Sequence, residues 1–403
     1  MQAKDFNDPI ATSIDHLERL LEFLPSGLVD KKLVTQLSEI NPSWPTWPSP
    51  GLSNLIGPPR VALKRFDLRW LHRFESTISL LNYFVRSLGG PSGGPSGHSL
   101  IVERAPLLGH RGWGETSAGG SCRLIKTLDA TLAVNLPRQE DISSVSAWLQ
   151  AEVRDDIWSV IQNYAINSSS QVLLERAKLL GLAVSEVGEA KDMTIEITRK
   201  SSIAAYSRQP KVVDLSSMWA GPLCSWFLMR SGAEVIKIES SKRPDRGRLN
   251  QTPFFQRLNK GKSITAFDFD SKLGKNQLRK HIREADIVIE SSRPRAMENM
   301  GISAEEEVDR GAIWCSITGY GRNLHPNRVG FGDDAAAAGC LLAQVDESLW
   351  FVGDAGADPL TGATAAALTH GLWFAGSSGL IDISLAATSH MHTHGVIPKG
   401  IMW

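Results

Sequence analysis

The feature that most constrains the fold is the stretch VVDLSSMWAGPLCSWFLMRSGAEVIKIES at residues 212–240. Its first residues predict an apolar strand, the Ala-Gly-Pro run predicts a sharp turn, and residues 223–230 have the apolar spacing of a helix. The apolar run at 235–238 predicts a second strand. Two strands joined through a helix are parallel, so the stretch predicts a βαβ unit in an α/β protein with a parallel sheet.

Length and composition allow more than one domain and argue against some partners. A chain of 403 residues with 42% hydrophobic residues is predicted to form two or three domains. Its 43 Lys and Arg residues balance 43 Asp and Glu residues, so the net charge predicts no binding to nucleic acid or to an anionic membrane. No apolar stretch reaches the roughly 18 residues of a membrane span, and the first residues lack a signal-peptide pattern. The four cysteines have no CxxC spacing, which predicts reduced, buried thiols in a cytoplasmic protein.

Periodicity and composition divide the chain into four segments. Apolar residues at helical spacing dominate the first segment, which ends in a Gly-, Pro- and Ser-rich linker. We expect this linker and the polar run at 198–211 to be mobile. The predicted segments are a helical N-terminal region (1–110, with the linker at 89–99), a small αβ domain (111–204, with a hairpin at 119–136), a Rossmann-like domain (205–386) and a tail (387–403).

Five further segments follow the βαβ stretch in order: LNKGKSITAFDFDS (258–271), ADIVIESSRPRAMENMGIS (285–303), SITGYG (316–321), GFGDDAAAAG (330–339) and DPLTGATAAALTHGLWFAGSSGLIDISL (358–385). Together they resemble the class III CoA-transferases, a family that includes formyl-CoA transferase, carnitine CoA-transferase and 2-methylacyl-CoA racemase. The resemblance covers residues 212–385 and implies a Rossmann-like domain that binds coenzyme A. It also implies acyl-CoA and a small carboxylic acid as substrates, with no metal, nicotinamide or flavin.

The order of the segments differs from the usual family layout. There the Rossmann-like half comes first and the small domain is inserted before a return to the large domain, whereas here the small-domain-like segment comes first. One interpretation is that residues 1–110 are the relic of a preceding large-domain half, as in tandem or permuted members. The Asp-Gly-Trp turn of the family corresponds here to Asp129-Ala130-Thr131. The resemblance implies a homodimer, and the changed order leaves open whether its subunits interlock.

Asp333 and Asp334 are the predicted catalytic residues. From spacing alone they predict no more than the capping of a helix. The resemblance implies more, because the nucleophilic aspartate of the family lies at the start of this helix. The family pattern aligns that aspartate with Gly332, so Asp333 follows it by one residue and Asp334 by two. Asp333 is therefore preferred as the nucleophile.

The chemistry that the resemblance implies is a covalent relay. The carboxylate attacks an acyl-CoA thioester to give a mixed anhydride, the released thiolate converts the anhydride into an aspartyl-CoA thioester, and the acceptor acid then takes the CoA. Two alternatives stay open. An acyl-CoA racemase or isomerase would need a second base, for which His281 and His325 are candidates. A non-catalytic CoA-binding paralogue would need no such group.

The predicted CoA contacts lie in turns and at the carboxyl ends of strands, where ligands of open α/β sheets bind. Lys242, Arg243 and Arg246 follow the second strand of the βαβ stretch and are predicted to contact the phosphates. The predicted adenine and pantetheine contacts are Met218, Trp219, Ala220, Asn259, Lys260, Ser291, Ser292, Thr318 and Tyr320.

Two motifs argue against other ligands. The alternating His390, His392 and His394 could hold a metal if they formed a strand, but no carboxylate or cysteine stands near them, which favours a frayed tail. No Gly-x-Gly-x-x-Gly run follows a predicted strand, so NAD and FAD are disfavoured.

Overall fold

A computed structural model describes residues 9–39, 45–59, 61, 63–154, 156–202 and 209–402. Within these ranges the strands are β1 (Leu63–Phe66), β2 (Cys122–Lys126), β3 (Thr131–Asn135), β4 (Ala183–Glu186), β5 (Glu196–Ser202), β6 (Lys211–Leu215), β7 (Glu234–Ser240), β8 (Ser263–Phe267), β9 (Ile287–Glu290), β10 (Ile313–Thr318), β11 (Leu342–Val345), β12 (Ser348–Phe351), β13 (Ser377–Ser384) and β14 (Lys399–Met402).

The helices of the described ranges are α1 (Pro9–Glu22), α2 (Lys31–Ser38), α3 (Arg69–Ser87), α4 (Gly97–Val102), α5 (Arg104–Leu108), α6 (Gln139–Ser143), α7 (Val145–Leu149), α8 (Ile157–Ala165), α9 (Ser170–Leu180), α10 (Ala220–Arg230), α11 (Arg246–Asn250), α12 (Thr252–Asn259), α13 (Lys272–Glu284), α14 (Pro294–Asn299), α15 (Ala304–Arg310), α16 (Gly332–Ala338), α17 (Ala357–Phe374) and α18 (Leu385–Thr393). Two short 3₁₀ helices lie at Leu52–Leu55 and Glu189–Asp192. No helix of the described ranges combines the length and apolar character that a membrane span needs.

The largest sheet has the strand order β5-β13-β10-β9-β6-β7-β8. Its strands are parallel except β5, which pairs antiparallel with β13 at one edge. β9 and β13 are buried along their whole length, as expected of strands that helices cover on both faces. The predicted α/β fold with a parallel sheet is therefore confirmed, and α10 is the crossover helix of the predicted βαβ unit.

Strand order also fixes where a crevice opens. The chain runs from β6 outward through β7 to β8 and then returns to the other side of β6 with β9 and β10. Loops after β6 and β9 consequently leave the sheet in opposite directions, and a crevice forms between them at the carboxyl ends of the strands.

The N-terminal region packs on this sheet through helices. α3 contacts both α1 and α17, and α17 contacts α10, so the predicted N-terminal helices share the main hydrophobic core with the sheet. β1 pairs with β14, the last strand of the described chain, and a second sheet forms with the order β1-β14-β11-β12. The segment at 387–403 thus contributes a helix and a paired strand rather than a tail.

A third sheet, β2-β3-β4, is antiparallel and contains the predicted hairpin as β2 and β3. It has its own hydrophobic core with the helices α7, α8 and α9, in which Trp148 and Leu173 are fully buried. On its other side, β3 and β4 contact α16, which follows β10 of the seven-stranded parallel sheet. This contact brings the small sheet against the helix that begins with the predicted catalytic residues.

Two local predictions need correction, and a third stays a prediction. Part of the polar run at 198–211 lies in β5, because its backbone pairs with β13, and residues 203–208 lie outside the described residues. The mobility of the linker at 89–99 stays a prediction; its Gly93 carbonyl accepts a hydrogen bond from the Arg230 guanidinium, and α4 begins at Gly97. His390 and His392 lie on helix α18 rather than in a frayed tail, and the described residues include no cluster of His, Cys, Asp and Glu that could hold a metal.

Candidate active site

A cavity of about 450 Å³ lies at the predicted crevice. Ser217 and Met218 line it after β6, Ser291 after β9, and Thr318 at the end of β10. The opposite wall comes from α16, α17, the N-terminal region and the small sheet. Its polar side chains belong to Arg104, His110, Ser121, Asn135, Asp333 and Asp358.

Asp333 lies in the wall of the cavity, and its side chain is held from two directions. Its Oδ1 atom accepts a hydrogen bond from the Ala355 backbone N–H at 3.0 Å, and the Ser117 hydroxyl also bonds to the carboxylate. Burial and the nearby charge of Asp354 raise the pKa of Asp333 to about 6, although Arg104 opposes this shift. At neutral pH the group is mostly an ionised carboxylate that faces the cavity.

Asp334 is fully buried and points away from the cavity into the small sheet. Its carboxylate accepts hydrogen bonds from the Asn135 amide at 2.9 Å, the Tyr320 hydroxyl at 2.7 Å and the Phe331 backbone N–H at 3.0 Å. The last of these bonds caps the start of α16. Burial raises the pKa of Asp334 to about 6. Its oxygens are occupied by three donors, which identifies Asp334 as a group that joins α16 to the small sheet.

Asp358 is a second carboxyl group in the cavity wall, and sequence reasoning missed it. It lies in the first turn of α17, and the Ala220 backbone N–H donates to it. A Cβ atom on Gly332 would lie 2.2 Å from Asp358 Oδ2, so glycine is required there for the two elements to meet. Burial raises the pKa of Asp358 to about 7; Arg104 opposes the shift and Asp333 adds to it.

Arg104 and His110 are the basic side chains among the described residues that line this cavity, and both contact Asp354. The Arg104 guanidinium binds the Asp354 carboxylate through two bonds of 2.8 and 2.5 Å, and His110 Nδ1 lies 3.0 Å from Asp354 Oδ2. Burial alone would raise the pKa of Asp354, but Arg104 holds it at about 2. Arg104 also lies 4.6 Å above the ring of Trp219. It is therefore fixed in place by Asp354 rather than by either cavity carboxylate.

The predicted adenine and pantetheine contacts divide into two groups. Met218, Ala220, Ser291 and Thr318 line the cavity, and Met218 has a left-handed backbone with φ of 69°, a conformation that is costly for a residue with a side chain. The other five do not line it: Trp219, Asn259 and Tyr320 are buried, Ser292 is half-buried beside Glu290, and Lys260 is exposed.

The predicted phosphate contacts are exposed and lie on the loop that follows β7 and on the first residue of α11. Lys242 Nζ lies 3.1 Å from Asp268 and 3.0 Å from Asp270, and Arg246 lies 3.7 Å from Glu140. Arg243 is exposed next to Lys242. The loop reaches the cavity indirectly, because Asp245 accepts the backbone N–H of Met218.

Sequence reasoning missed the groups that come from other parts of the chain. Arg104 and His110 lie about 250 and 244 positions from Asp354, and no local pattern links them. Asp354 and Asp358 had a signal, since they stand four residues apart at the start of a predicted helix. His281 stacks on Phe267 outside the cavity, and the cavity histidine of the described chain is His110.

A larger groove of about 550 Å³ lies elsewhere, beside β1 and β14. Lys64, Arg65 and Lys399 line it together with Asp67 and Asp346. It contains none of the predicted site residues. The smaller cavity is the candidate active site because it joins paired carboxyl groups to the crevice of the parallel sheet.

Comparison with known proteins supports the family resemblance of the parallel-sheet part of the chain. Residues 208–393 match the model of CoA-transferase family III. The resemblance to class III CoA-transferases is confirmed. The match begins just before β6 and ends with α18, so it includes Asp333, Asp358 and the cavity loops of the parallel sheet.

Curated relatives match about a third of this chain. An acyl-CoA transferase of Fusarium pseudograminearum is 30% identical over 150 residues, which are 33% of this chain and 33% of that protein. A formyl-CoA:oxalate CoA-transferase of Escherichia coli is 34% identical over 139 residues, which are 32% of this chain and 33% of that protein. The chain therefore spans about a third of the length of the curated relatives that it matches.

Among solved structures, a CaiB/BaiF family protein from Brucella suis is 29% identical. The similarity covers 45% of this chain and 53% of that protein, with a TM-score of 0.41.

Proposed function

We propose that the chain is an acyl-CoA transferase that moves CoA between carboxylic acids, with Asp333 as the nucleophile. The observation that carries the proposal is the position of Asp333 at the carboxyl edge of the family III sheet, in a cavity lined by the loops after β6 and β9. Of the two predicted aspartates, Asp333 lines that cavity. The carboxylate oxygens of Asp334 already accept hydrogen bonds from Asn135, Tyr320 and Phe331.

The surroundings of Asp333 suit a covalent relay. The Ala355 N–H and the Ser117 hydroxyl hold the carboxylate in one orientation, so its free oxygen presents a fixed lone pair to a bound thioester. Attack forms the C–O bond of an acyl anhydride and breaks the C–S bond to CoA. The thiol then attacks the aspartyl carbonyl, the acyl acid departs, and the acceptor acid takes the CoA from the aspartyl thioester.

Hydroxylamine trapping with a panel of acyl-CoA donors tests the proposal, with intact mass as the readout. We expect an acyl or CoA adduct on the wild-type chain that hydroxylamine removes, and no adduct on Asp333→Asn. Asn keeps the size of the side chain and can accept the Ala355 N–H, so the variant should fold. Adduct formation by Asp333→Asn at the wild-type rate would remove Asp333 from the chemistry.

For CoA itself, we propose that Lys242, Arg243 and Arg246 contact the phosphates. The proposal is supported by the contact of Asp245, in the same loop, with the cavity residue Met218. Each charge-assisted phosphate contact contributes about 1.5–3 kcal/mol, so neutralising the three residues should weaken CoA binding at least tenfold. Dephospho-CoA, which lacks the 3′-phosphate, should lose much less. Equal losses for the two ligands would contradict this assignment.

A racemase is the second candidate, and the arrangement of His110 favours it. Asp354 engages Nδ1 of His110, which leaves Nε2 as the atom that can exchange a proton with a substrate. Incorporation of deuterium at the α-carbon of an acyl-CoA, without exchange of the CoA, would identify this activity. CoA binding with neither exchange nor deuterium incorporation would instead identify a non-catalytic paralogue.

A further inference from the structure

Two carboxyl groups of the cavity are joined by one turn of the chain. Asp333 Oδ1 accepts the backbone N–H of Ala355 at 3.0 Å, and the Ala355 carbonyl accepts the backbone N–H of Asp358 at 2.9 Å. Ala355 has a left-handed backbone with φ of 50°, which is costly for a residue with a Cβ atom. A constrained turn therefore fixes Asp358 relative to Asp333 across the space that Gly332 leaves open.

We propose that Asp358 is the general acid of the reaction, which protonates the CoA sulfur as the thioester breaks. The inference rests on the proposed function and adds a residue to it. Asp358 enters the step as a carboxylic acid, and its proton passes to the sulfur while Asp333 forms the new C–O bond. In the next step the thiol returns that proton to Asp358 and attacks the aspartyl anhydride. The proton therefore stays within the cavity, and no other reactant is needed.

The groups around Asp358 come from four parts of the chain. Asp333 of α16 shares the cavity wall with it, the buried Asp334 adds negative charge from behind that wall, and Arg104 of α5 adds positive charge. Asp354 precedes it on the same turn, and His110 lines the same cavity.

The balance of these charges favours a proton on Asp358. Arg104 is bound to Asp354 through two of its three guanidinium nitrogens, Nε and Nη2, so the cation of the cavity is already paired with a carboxylate. Asp333 and Asp358 remain in a half-buried space without a cation of their own. Two neighbouring carboxyl groups in such a site do not ionise together, and one becomes the acid and the other the base. Asp333 accepts hydrogen bonds from the Ala355 N–H and the Ser117 hydroxyl, which stabilise a carboxylate, whereas Asp358 accepts one from the Ala220 N–H, so this geometry assigns the acid to Asp358.

Leaving-group dependence distinguishes an acid from a residue that only supports the fold. The experiment measures single-turnover adduct formation on wild type and Asp358→Asn, with an acyl-CoA and with an aryl thioester of the same acyl group. An aryl thiolate leaves without a proton, whereas the CoA thiolate is a poorer leaving group. We expect Asp358→Asn to lose about 10²–10⁴-fold with the acyl-CoA, as is typical of a lost general acid, and less than about tenfold with the aryl thioester.

Four outcomes would contradict the assignment or the function on which it rests. Equal losses with both thioesters would overturn the acid role, and so would a leaving-group-dependent loss in His110→Gln with none in Asp358→Asn. The infrared carbonyl absorption of protonated carboxyl groups, followed by titration of the ligand-free protein, should lose the band that titrates near pH 7 in Asp358→Asn and keep it in the exposed control Asp270→Asn. Persistence of the band in Asp358→Asn would place the proton elsewhere and contradict the proposal without reference to activity. A wild-type chain that forms no adduct with any donor would overturn the proposed function, a result distinct from equal losses.

Discussion

Two groups of ionisable side chains lie near the carboxyl end of β6, and they differ in how their charges are balanced. In the first, which we call the lysine network, Lys262 Nζ lies 3.1 Å from Asp214 and Lys237 Nζ lies 3.1 Å from Asp245, with all four side chains buried. Ser225 also donates to Asp214 at 2.5 Å. Each carboxylate there has an ammonium partner and further hydrogen bonds.

The second group is the cavity cluster of Asp333, Asp354, Asp358 and Arg104. Here a single guanidinium pairs with Asp354, and the remaining carboxyl groups face the cavity without a cation of their own. Lys262 and Lys237 hold the pKa of Asp214 well below its usual range despite its burial, whereas burial raises the pKa of Asp358 to about 7. The two groups thus differ in whether a cation is available: the lysine network pairs each carboxylate with an ammonium group, and the cavity cluster leaves Asp358 with a raised pKa.

The largest expected effect separates Asp333 of the cavity cluster from its neighbour Asp334. Asp333→Asn should slow CoA transfer by about 10³–10⁶-fold, because loss of a nucleophile removes the covalent path. Asp334→Asn should retain about a tenth to a hundredth of the rate, because it disturbs only the positioning of α16. Single-turnover rates with one acyl-CoA measure both variants. The reverse order of losses would transfer the nucleophilic role to Asp334.

Breaking the lysine network should give the largest loss of stability. Lys262→Met leaves the Asp214 carboxylate buried beside Lys237 alone, and removal of one partner from a buried ion pair costs about 3–5 kcal/mol. Denaturant unfolding at pH 7 measures the loss, with Lys260→Met as a matched control on an exposed neighbour. A loss below about 1 kcal/mol would show that the network contributes little to the folded state.

The cavity cluster should show the opposite behaviour when its charge is removed. Asp358 has a pKa of about 7 in the folded protein and near 3.9 when unfolded, so the folded state binds more protons between these values. Stability therefore falls as the pH rises from about 4 to 7. Asp358→Asn should abolish this contribution and raise the free energy of unfolding at pH 8 by about 2–4 kcal/mol, with no gain near pH 4.

Thermal unfolding across this pH range provides the measurement. Asp270→Asn is the control, because that carboxylate is exposed and should change the profile little. If Asp358→Asn is less stable than wild type at pH 8, the ionised carboxylate of Asp358 stabilises the folded state, and the prediction is wrong.

The sequence was sufficient to predict the parallel sheet, because its strands are apolar runs that alternate with helices of clear periodicity. The positions of Met218, Ser291 and Thr318 were also predictable, since the carboxyl ends of parallel strands meet at one edge. Arg104 was not, because its contact with Asp354 joins residues 250 positions apart. Spacing also could not show that Asp333 and Asp334 have different environments. That difference arises because Asn135 and Tyr320 donate hydrogen bonds to Asp334.

The sequence could not predict which polar and charged residues are buried. Asn259 was predicted to contact CoA, yet its side-chain oxygen accepts a hydrogen bond from Lys262 inside the lysine network. A polar residue in a turn gives the same pattern whether it faces a ligand or a buried partner. Only the packing of α12 against α10 decides between the two.

The smallest expected effect concerns an exposed counterpart of the lysine network. Lys242 lies 3.1 and 3.0 Å from Asp268 and Asp270, distances like those around Lys262, but its side chain is exposed. Water screens such pairs, so Lys242→Met should change the free energy of unfolding by less than about 1 kcal/mol. The exposed Lys272→Met is the control. If Lys242→Met lowered the free energy of unfolding by more than about 2 kcal/mol, the exposed ion pairs of Lys242 would stabilise the fold about as much as the buried pairs of the lysine network. If the free energy of unfolding changes by less than about 1 kcal/mol, the contacts of Lys242 with Asp268 and Asp270 contribute little to the fold. Lys242 could then leave these carboxylates and bind a CoA phosphate with little loss of stability.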